Sequence, residues 1–321
     1  MAVPALSIST PITMIEYAQT MPEGSATRIF VENMVRQSDL MAAVPILPAT
    51  NGKRAFMDIT STPVVGFRGL NTQGNQNTGT FGLREEDTFF VDEYILVDRA
   101  ILARLGPDHK YKQQELKSIA LAQMFSIKFI KGDNSANQIE PNGLQVRCNT
   151  PSTNLFYNSV AAGGAALSLQ QLDSLYWSVN KPTHWIFPRS LMPFMDAAAR
   201  NNALVNQTVA YAMDDFGRRI MKYKDLPILF GYEPDDTPDL LPMTEVGQGG
   251  GGAVTGSIYC ASIRDGGVYA IEQTPMMVQD QGQIQGQPFE SIHIAWDWGV
   301  AREHPRSVSR LTSVIAAAIV A

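Results

Sequence analysis

The most regular apolar pattern in the chain lies between Asp108 and Lys131. Leu116, Ile119, Ala120, Met124, Ile127 and Ile130 recur there at helical spacing on one face, and Leu121, Phe125 and Phe129 make an i, i+4, i+8 stripe on nearly the opposite one. The spacing predicts a long helix with Asp108 as N-cap and cover on both sides: a spine between a sheet and a second element. Upstream, Thr10 and Pro11 predict a short helix over 10–21, with Thr10 as cap and Pro11 in the first helical position. A second amphipathic segment starts at Ser25, and "PILP" (45–48) forces an extended crossing.

Residues 53–68 and 84–98 are both rich in β-formers. They flank "GFRGLNTQGNQNTGTFGL" (66–83), a stretch of Gly, Asn, Gln and Thr that a core cannot bury. This pattern predicts a long two-stranded ribbon. An isolated hairpin is marginal in water, so the ribbon needs a surface, and a neighbouring copy of the chain is the natural one. In the second half, helical "SLQQLDSLYWSV" and "SLMPFMDAAARNNA" alternate with the strand "THWIFP". Paired strands through Lys224–Asp225 follow, then "SIYCASI" and "GVYAIEQ" as a hairpin across "RDGG", then two closing strands. The terminal "LTSVIAAAIVA" reads as a strand or short helix. Alternation giving way to hairpins predicts an α+β fold.

Composition narrows the function classes. The 321 residues are 45% hydrophobic, enough for a substantial core. Only 17% are charged and the net charge is −6, which argues against phosphate binding through clustered Lys and Arg. Cys148 and Cys260 are far apart, without CxxC spacing, and are expected as reduced, buried thiols. The N-terminal stretch lacks the basic and apolar regions of a secretion signal, and no apolar run approaches a membrane span, so a soluble chain made in a cytoplasm is expected.

Candidate chemistry is sparse. The glycine loop at Gly249, Gly250, Gly251 and Gly252 lacks the following Gly-Lys-Ser/Thr and helix of a phosphate-binding loop, and a flexible loop tip is the simpler reading. "YEPDDTPD", with Glu233, Asp235, Asp236 and Asp239, lacks calcium-loop spacing and reads as a solvated acidic turn. His109, His184, His293 and His304 show no metal-ligand spacing, and there is no GxSxG. In "REED" (84–87) neighbouring acids point to opposite faces of a strand and cannot share one site; a charged face meeting basic residues of another subunit is the better reading. No catalytic, cofactor or metal site is expected, and the chain does not read as an enzyme.

Several stretches, in order, resemble the major capsid proteins of tailed double-stranded DNA phages, the family with the Hong Kong 97 fold. They are "TMIEYAQTMPEG", "PVVGFRGLN", "FIKGDNSANQIEPNGLQ", "AAARNNALVNQTVAYAMDDFGRRIMKYKDLPIL" and "SIYCASIRDGGVYAIEQ". The resemblance implies an α+β fold with an N-terminal arm (1–48) and an extended hairpin loop (49–98). A peripheral domain (99–157 and 276–300) would carry the spine helix 108–131, and an axial domain would comprise 158–275 and 301–321. It implies a head protein assembled in the host cytoplasm, through pentamers and hexamers, into the icosahedral capsid of a virion, enclosing DNA without sequence-specific binding. Its implied partners are further copies of itself, a separate scaffolding protein and a portal, with a decoration protein left open; no membrane and no cofactor are implied. An encapsulin-like cellular nanocompartment shell is the alternative. In this setting Phe67, Arg68, Phe81, Arg84, Glu85 and Glu86 are candidates for subunit contacts, and Gly249 to Gly252 for a loop at the capsomer centre.

The sequence departs from part of that family in two ways. Some members lock their shells with an isopeptide bond from a lysine on the extended loop, but no lysine occurs from Arg54 through Asp98. Many carry a long N-terminal scaffolding segment, whereas this chain reaches the ribbon within about fifty residues, which points to a separate scaffold. Assembled particles are therefore expected to run as a single-subunit band on a denaturing gel; a ladder of covalent multimers would contradict this.

Overall fold

The computed structural model describes residues 11–200, 209–213, 219–232 and 239–320. In chain order the arm contains β1 (Ile12–Thr13), α1 (Met14–Thr20), α2 (Ala26–Gln37), α3 (Asp39–Ala43) and β2 (Pro45–Pro48). The ribbon strands β3 (Lys53–Ser61) and β4 (Thr80–Asp87) follow, then β5 (Phe89–Asp98), α4 (Arg99–Leu105), α5 (Asp108–Lys131) and α6 (Leu144–Arg147). Next come β6 (Leu155–Tyr157), β7 (Ala165–Ser168), α7 (Leu169–Ser178), β8 (His184–Ile186) and α8 (Met192–Ala199), then β9 (Val209–Met213), β10 (Arg219–Tyr223) and β11 (Leu226–Leu229). The chain closes with β12 (Glu245–Val246), β13 (Ala253–Ala261), β14 (Val268–Gln283), β15 (Phe289–Arg302) and β16 (Val308–Val320). Among the described residues these strands form three sheets: β1-β2-β14-β15-β5, the ribbon β3-β4, and β6-β16-β13-β8-β11-β10-β9 with β7 beside β16 and β12 beside β13.

An aromatic stack fixes the spine helix α5 to the first sheet. The Phe125 ring lies 5.7 Å from Trp296 and 4.6 Å from Trp298, and 5.7 Å from Phe129 one turn on. Leu121, Phe125 and Phe129 are fully buried, as their stripe predicts. Ser118, Ala122 and Ser126 are buried too, and their small side chains let α2 and α3 approach closely; the Ser126 and Ser38 hydroxyls meet at 2.8 Å. The other predicted stripe is closed only at Ile130 among the described residues. Leu116 is exposed, and Ile119, Met124 and Ile127 are only partly covered, because sheet and arm both press on the same side of the helix.

Two helix starts differ from expectation. Thr13, not Thr10, caps α1: the Glu16 amide donates to the Thr13 hydroxyl while the Thr13 amide donates to the Glu16 carboxylate, so two end amides are satisfied reciprocally. Pro11 precedes β1, outside the helix, and Thr10 lies outside the described residues. At α5, Asp108 is the first helical residue and Pro107 occupies the cap without a side-chain bond.

The second large sheet, β6-β16-β13-β8-β11-β10-β9, hereafter the second sheet, is closed by α7 and α8 over Leu172, Leu175, Trp185, Met195 and Leu311. Lys224 and Asp225, at φ of 49° and 63°, make the predicted two-residue turn between β10 and β11. "RDGG" is no hairpin. β13 pairs with β8 and β16, while β14 pairs with β2 and β15, so residues 262–267 carry the chain from one sheet to the other. That crossing is tight: a Cβ at Gly267 would lie 2.2 Å from the Ser262 carbonyl. "GVYAIEQ" and "MMVQDQGQ" are one strand, β14, with bulges between Glu272 and Met277, so position 275/276 falls inside a strand and not at a change of sheet. The C-terminal apolar segment is the strand β16.

Because Phe125 is the ring that joins helix to sheet, Phe125→Ala is expected to destabilise the subunit by about 3–5 kcal/mol. Leu116→Ala, on the open stripe, should cost far less. Denaturant unfolding of the two variants against wild type checks the contrast.

Candidate subunit interface

The ribbon presents two unlike faces because side chains alternate along its strands. Met57 stands opposite Leu83 and Ile59 opposite Phe81. These four side chains share one face and are 77%, 67%, 62% and 69% exposed, respectively. On the other face Phe56 is buried, the Arg84 guanidinium lies 5.8 Å from its ring centre, and Arg84 donates to Asp58 at 3.3 Å. The tip, 62–79, adds Val64, Val65, Phe67 and Leu70, all exposed. The ribbon thus carries eight exposed apolar side chains, four on one strand face and four in the tip, more than the scattered apolar residues normal on a surface.

The base of the ribbon is fastened by charge. Glu86 accepts from both terminal nitrogens of Arg147, at 2.5 and 2.8 Å. Arg147 is itself buried, and its remaining N–H groups donate to the carbonyls of Val300 (2.8 Å) and Asn142 (2.9 Å). A planar guanidinium engaged on all sides holds β4 to α6 and β15 in one orientation. Outside this clamp, Lys53 reaches Glu85 at 3.1 Å and Asp87 at 3.6 Å.

These contacts change the reading of the predicted residues. Arg84, Glu85 and Glu86 each have a partner within their own chain, Asp58, Lys53 and Arg147 respectively, and only the Glu86 pair is buried. Glu86 points inward because β4 crosses the body where Arg147 is buried. Phe67 and Phe81 are exposed apolar groups, and Arg68 folds back to donate to the Thr72 carbonyl at 3.1 Å. Met57, Ile59 and Leu83 complete the apolar face; their signal was the period-two spacing of Met57 with Ile59 and of Phe81 with Leu83. Arg147 carried no local signal.

The glycine loop is held, in contrast to the flexible tip suggested by its composition. The Gly163 amide donates to the Gly250 carbonyl at 2.8 Å, and the Gly250 amide to Gly247 at 3.0 Å. A Cβ at Gly249 would lie 2.3 Å from the Val160 carbonyl, so the close approach of the two loops requires glycine. The other candidates remain ordinary. Burial pushes His184 down to about 4, leaving it neutral at pH 7, and pushes the Cys148 thiol up to about 12, where it is unreactive. Both cysteines are free and buried. Among the described residues no group of three His, Cys, Asp or Glu is arranged to hold a metal, and no helix is long and apolar enough to cross a membrane. Glu233, Asp235 and Asp236 lie outside the described residues.

No family model and no curated protein matches the sequence. Solved structures do match it, along nearly the whole length of both partners. The SrpI encapsulin complex of Synechococcus elongatus PCC 7942 superposes with a TM-score of 0.61 at 14% identity, covering 94% of this chain and 95% of that one. A structure from Microbacterium phage Oxtober96 gives 0.58 at 9% identity, over 87% and 91%. The capsid of a native GTA particle gives 0.57 at 11% identity, over 84% and 87%. The chain has the Hong Kong 97 capsid fold. The ribbon of β3, β4 and the tip 62–79 corresponds to the extended hairpin loop of that fold and α5 to its long spine helix; in this chain Arg147 ties the ribbon to the body.

Removing one partner of a buried ion pair strands the other, which typically costs about 3–5 kcal/mol. Arg147→Ala is therefore expected to destabilise the subunit on that scale and to speed proteolysis within 53–87. Lys53→Ala, on the solvent side, should leave both nearly unchanged. Denaturation and limited proteolysis of the two variants test whether the clamp or the outer pairs hold the loop.

Proposed function

We propose that this protein is the major capsid protein of a tailed double-stranded DNA phage, a structural subunit that assembles through pentamers and hexamers into an icosahedral shell around the genome. The observation that carries this is the extended loop on a Hong Kong 97 body: its face of Met57, Ile59, Phe81 and Leu83 has no cover among the described residues. A stable contact buries roughly 800 Å² on each partner, and the loop face together with the exposed tip offers apolar surface of that kind. The first sheet with α5 would be the peripheral domain, and the second sheet the axial domain around the five- and six-fold centres. The Gly249–Gly252 loop, with its 160–164 partner, would face a capsomer centre. Low charge and net acidity suit a wall that encloses DNA without gripping it. Scaffolding protein, portal and a decoration protein would be its assembly partners in the host cytoplasm.

A second reading follows from the likeness to the SrpI encapsulin: a cellular nanocompartment shell enclosing protein cargo. Electron microscopy and light scattering on the chain expressed alone and with its genomic neighbours separate the cases. Closed particles that package DNA support the capsid; closed particles filled with a co-expressed enzyme support the nanocompartment. A monomer under all conditions would overturn both.

If the loop face seals the shell, Phe81→Asp with Leu83→Asp should abolish closed particles while leaving the subunit folded, since both side chains are exposed in the free chain. Particle yield by microscopy and circular dichroism of the soluble variant check this. Wild-type particle yield from the double variant would contradict the proposed contact.

A further inference from the structure

The first sheet ends unevenly. At one edge stands β1, two residues long; at the other stands β5, ten residues long and paired with β15 from Phe89 to Asp98 without a bulge. Among the described residues no strand lies on the far side of β5, so its outward amides and carbonyls form an open row. Such an edge is normally blunted by proline, lysine, a bulge or shortness. β5, "FFVDEYILVD", has none of these. Its acids are answered at home: Asp92 meets the His293 ring nitrogen at 2.5 Å, Glu93 accepts from Lys117 at 2.6 Å, and Asp98 accepts from the Ala100 amide at 2.8 Å. Ile95 and Val97 are buried towards α5, while Phe90, Tyr94 and Leu96 stand exposed on the other face.

We propose that β5 is a self-pairing edge: two copies of the chain join antiparallel through it across a two-fold axis at Tyr94, which makes one continuous sheet of the two first sheets. Symmetry and charge select the register. A two-fold axis normal to the sheet keeps each face on its own side, so residues of equal parity meet and one residue meets its own copy. Centring the pair on Asp92 or Glu93 sets two acids directly opposite each other, and centring it on Ile95 sets Asp92 against Asp98. Like charges so placed destabilise a sheet. Centring on Tyr94 leaves no acid opposite an acid: Asp92 faces Leu96, Glu93 faces Ile95, Phe90 faces Asp98, Val91 faces Val97, and the two Tyr94 side chains meet.

Other features of the edge fit this register. Tyr94 is already stacked on the His293 ring, with centroids 4.7 Å apart, so little side-chain freedom is lost on pairing. Phe90, Met124 and Ile139 border an apolar hollow between β5 and α5. The register brings the second copy's α4, which starts just after Asp98, towards that hollow, and Ile101 and Leu105 of α4 are exposed. The pairing does not rest on the capsid reading. Within that reading it would tie one pentamer or hexamer to the next, because neighbours inside a ring meet head to tail and not across a two-fold axis.

Cysteine cross-linking of the full-length protein, free and in any particles it forms, tests the pairing. Residues directly opposite in antiparallel strands have Cα atoms about 4.5–5.5 Å apart, within disulfide reach. Tyr94→Cys is expected to gain a reducible dimer band on mild oxidation. Asp92→Cys and Leu96→Cys should each stay monomeric, and the variant carrying both should dimerise, since each then faces the other. Asp92 and Leu96 are exposed, so this double variant carries the test should Tyr94→Cys fold poorly. The native Cys148 and Cys260 are buried and add no background. Absence of a dimer from both Tyr94→Cys and the double variant overturns the pairing, as do dimers of equal yield from the single Asp92→Cys and Leu96→Cys variants, which mean collision without register. A Tyr94→Cys link that forms only with a second cysteine on the ribbon, such as Leu83→Cys, assigns the edge to a neighbour's ribbon and also overturns it. Particles without the dimer band sink the pairing and leave the capsid reading standing; a dimer band without particles does the reverse.

Discussion

The extended loop is oriented from its base, where a buried ion pair is the most enclosed tie, beside Arg54, which donates to the Tyr269 hydroxyl and the Pro48 carbonyl. A two-stranded ribbon has no second sheet to set its direction, so orientation must come from its base. Arg147 supplies it by engaging Glu86 of β4 with two nitrogens and two backbone carbonyls of the body with the rest. The choice of arginine follows from geometry: a lysine could neutralise Glu86 but could not fix the plane of β4 against α6 and β15. With the base fixed, the alternation of side chains decides everything further out. Phe56, Asp58 and Arg84 share the face that packs within the chain, and the Met57, Ile59, Phe81 and Leu83 face looks outward.

The body is built to supply that rigid base. The Phe125–Trp296–Trp298 stack locks the spine helix to β15, the strand whose Val300 carbonyl receives Arg147. The same strand pairs with β5, into which the ribbon runs after Thr88. Helix, strand and clamp are thus neighbours in a single packing unit, joined through β15.

Much of this was legible in the sequence, and the failures have physical reasons. The spine helix, the ribbon strands, the Lys224–Asp225 turn and the extended "PILP" all follow from local periodicity or backbone restriction, which a single segment carries by itself. Thr10 and Thr13 are both good caps, and only the reciprocal bond with Glu16 separates them. "RDGG" has hairpin chemistry, but its flanking strands belong to different sheets, a fact held by pairings with β8, β16, β2 and β15 and not by the turn. The two apolar stripes of α5 were correctly placed on opposite faces, yet only one is closed, because cover is a property of the whole chain or of an assembly. Arg147 was invisible for the same reason: nothing in "LQVRC" announces that β4 will pass over it. The candidate surface was half legible, since Phe67 and Phe81 were named from the polar tip while Met57, Ile59 and Leu83 needed the register.

Under the proposed capsid function, that register also bears on how a shell would be closed. The loop's one lysine, Lys53, sits at its base against Glu85 and Asp87, and from Arg54 through Asp98 there is no amine for an isopeptide bond. Its charged residues Arg84, Glu85 and Glu86 are paired at home, so transferring them to a neighbour would break bonds as well as make them. The exposed apolar groups left for contact are the outward face of β3 and β4, Val64, Val65, Phe67 and Leu70 within the otherwise polar tip, and the open Leu116 side of the spine helix. Apolar contacts are nearly indifferent to direction, so strength and geometry are divided between two parts of the molecule. The clamp at Arg147 sets where the loop points, and the burial of Met57, Ile59, Phe81 and Leu83 would set how tightly it holds.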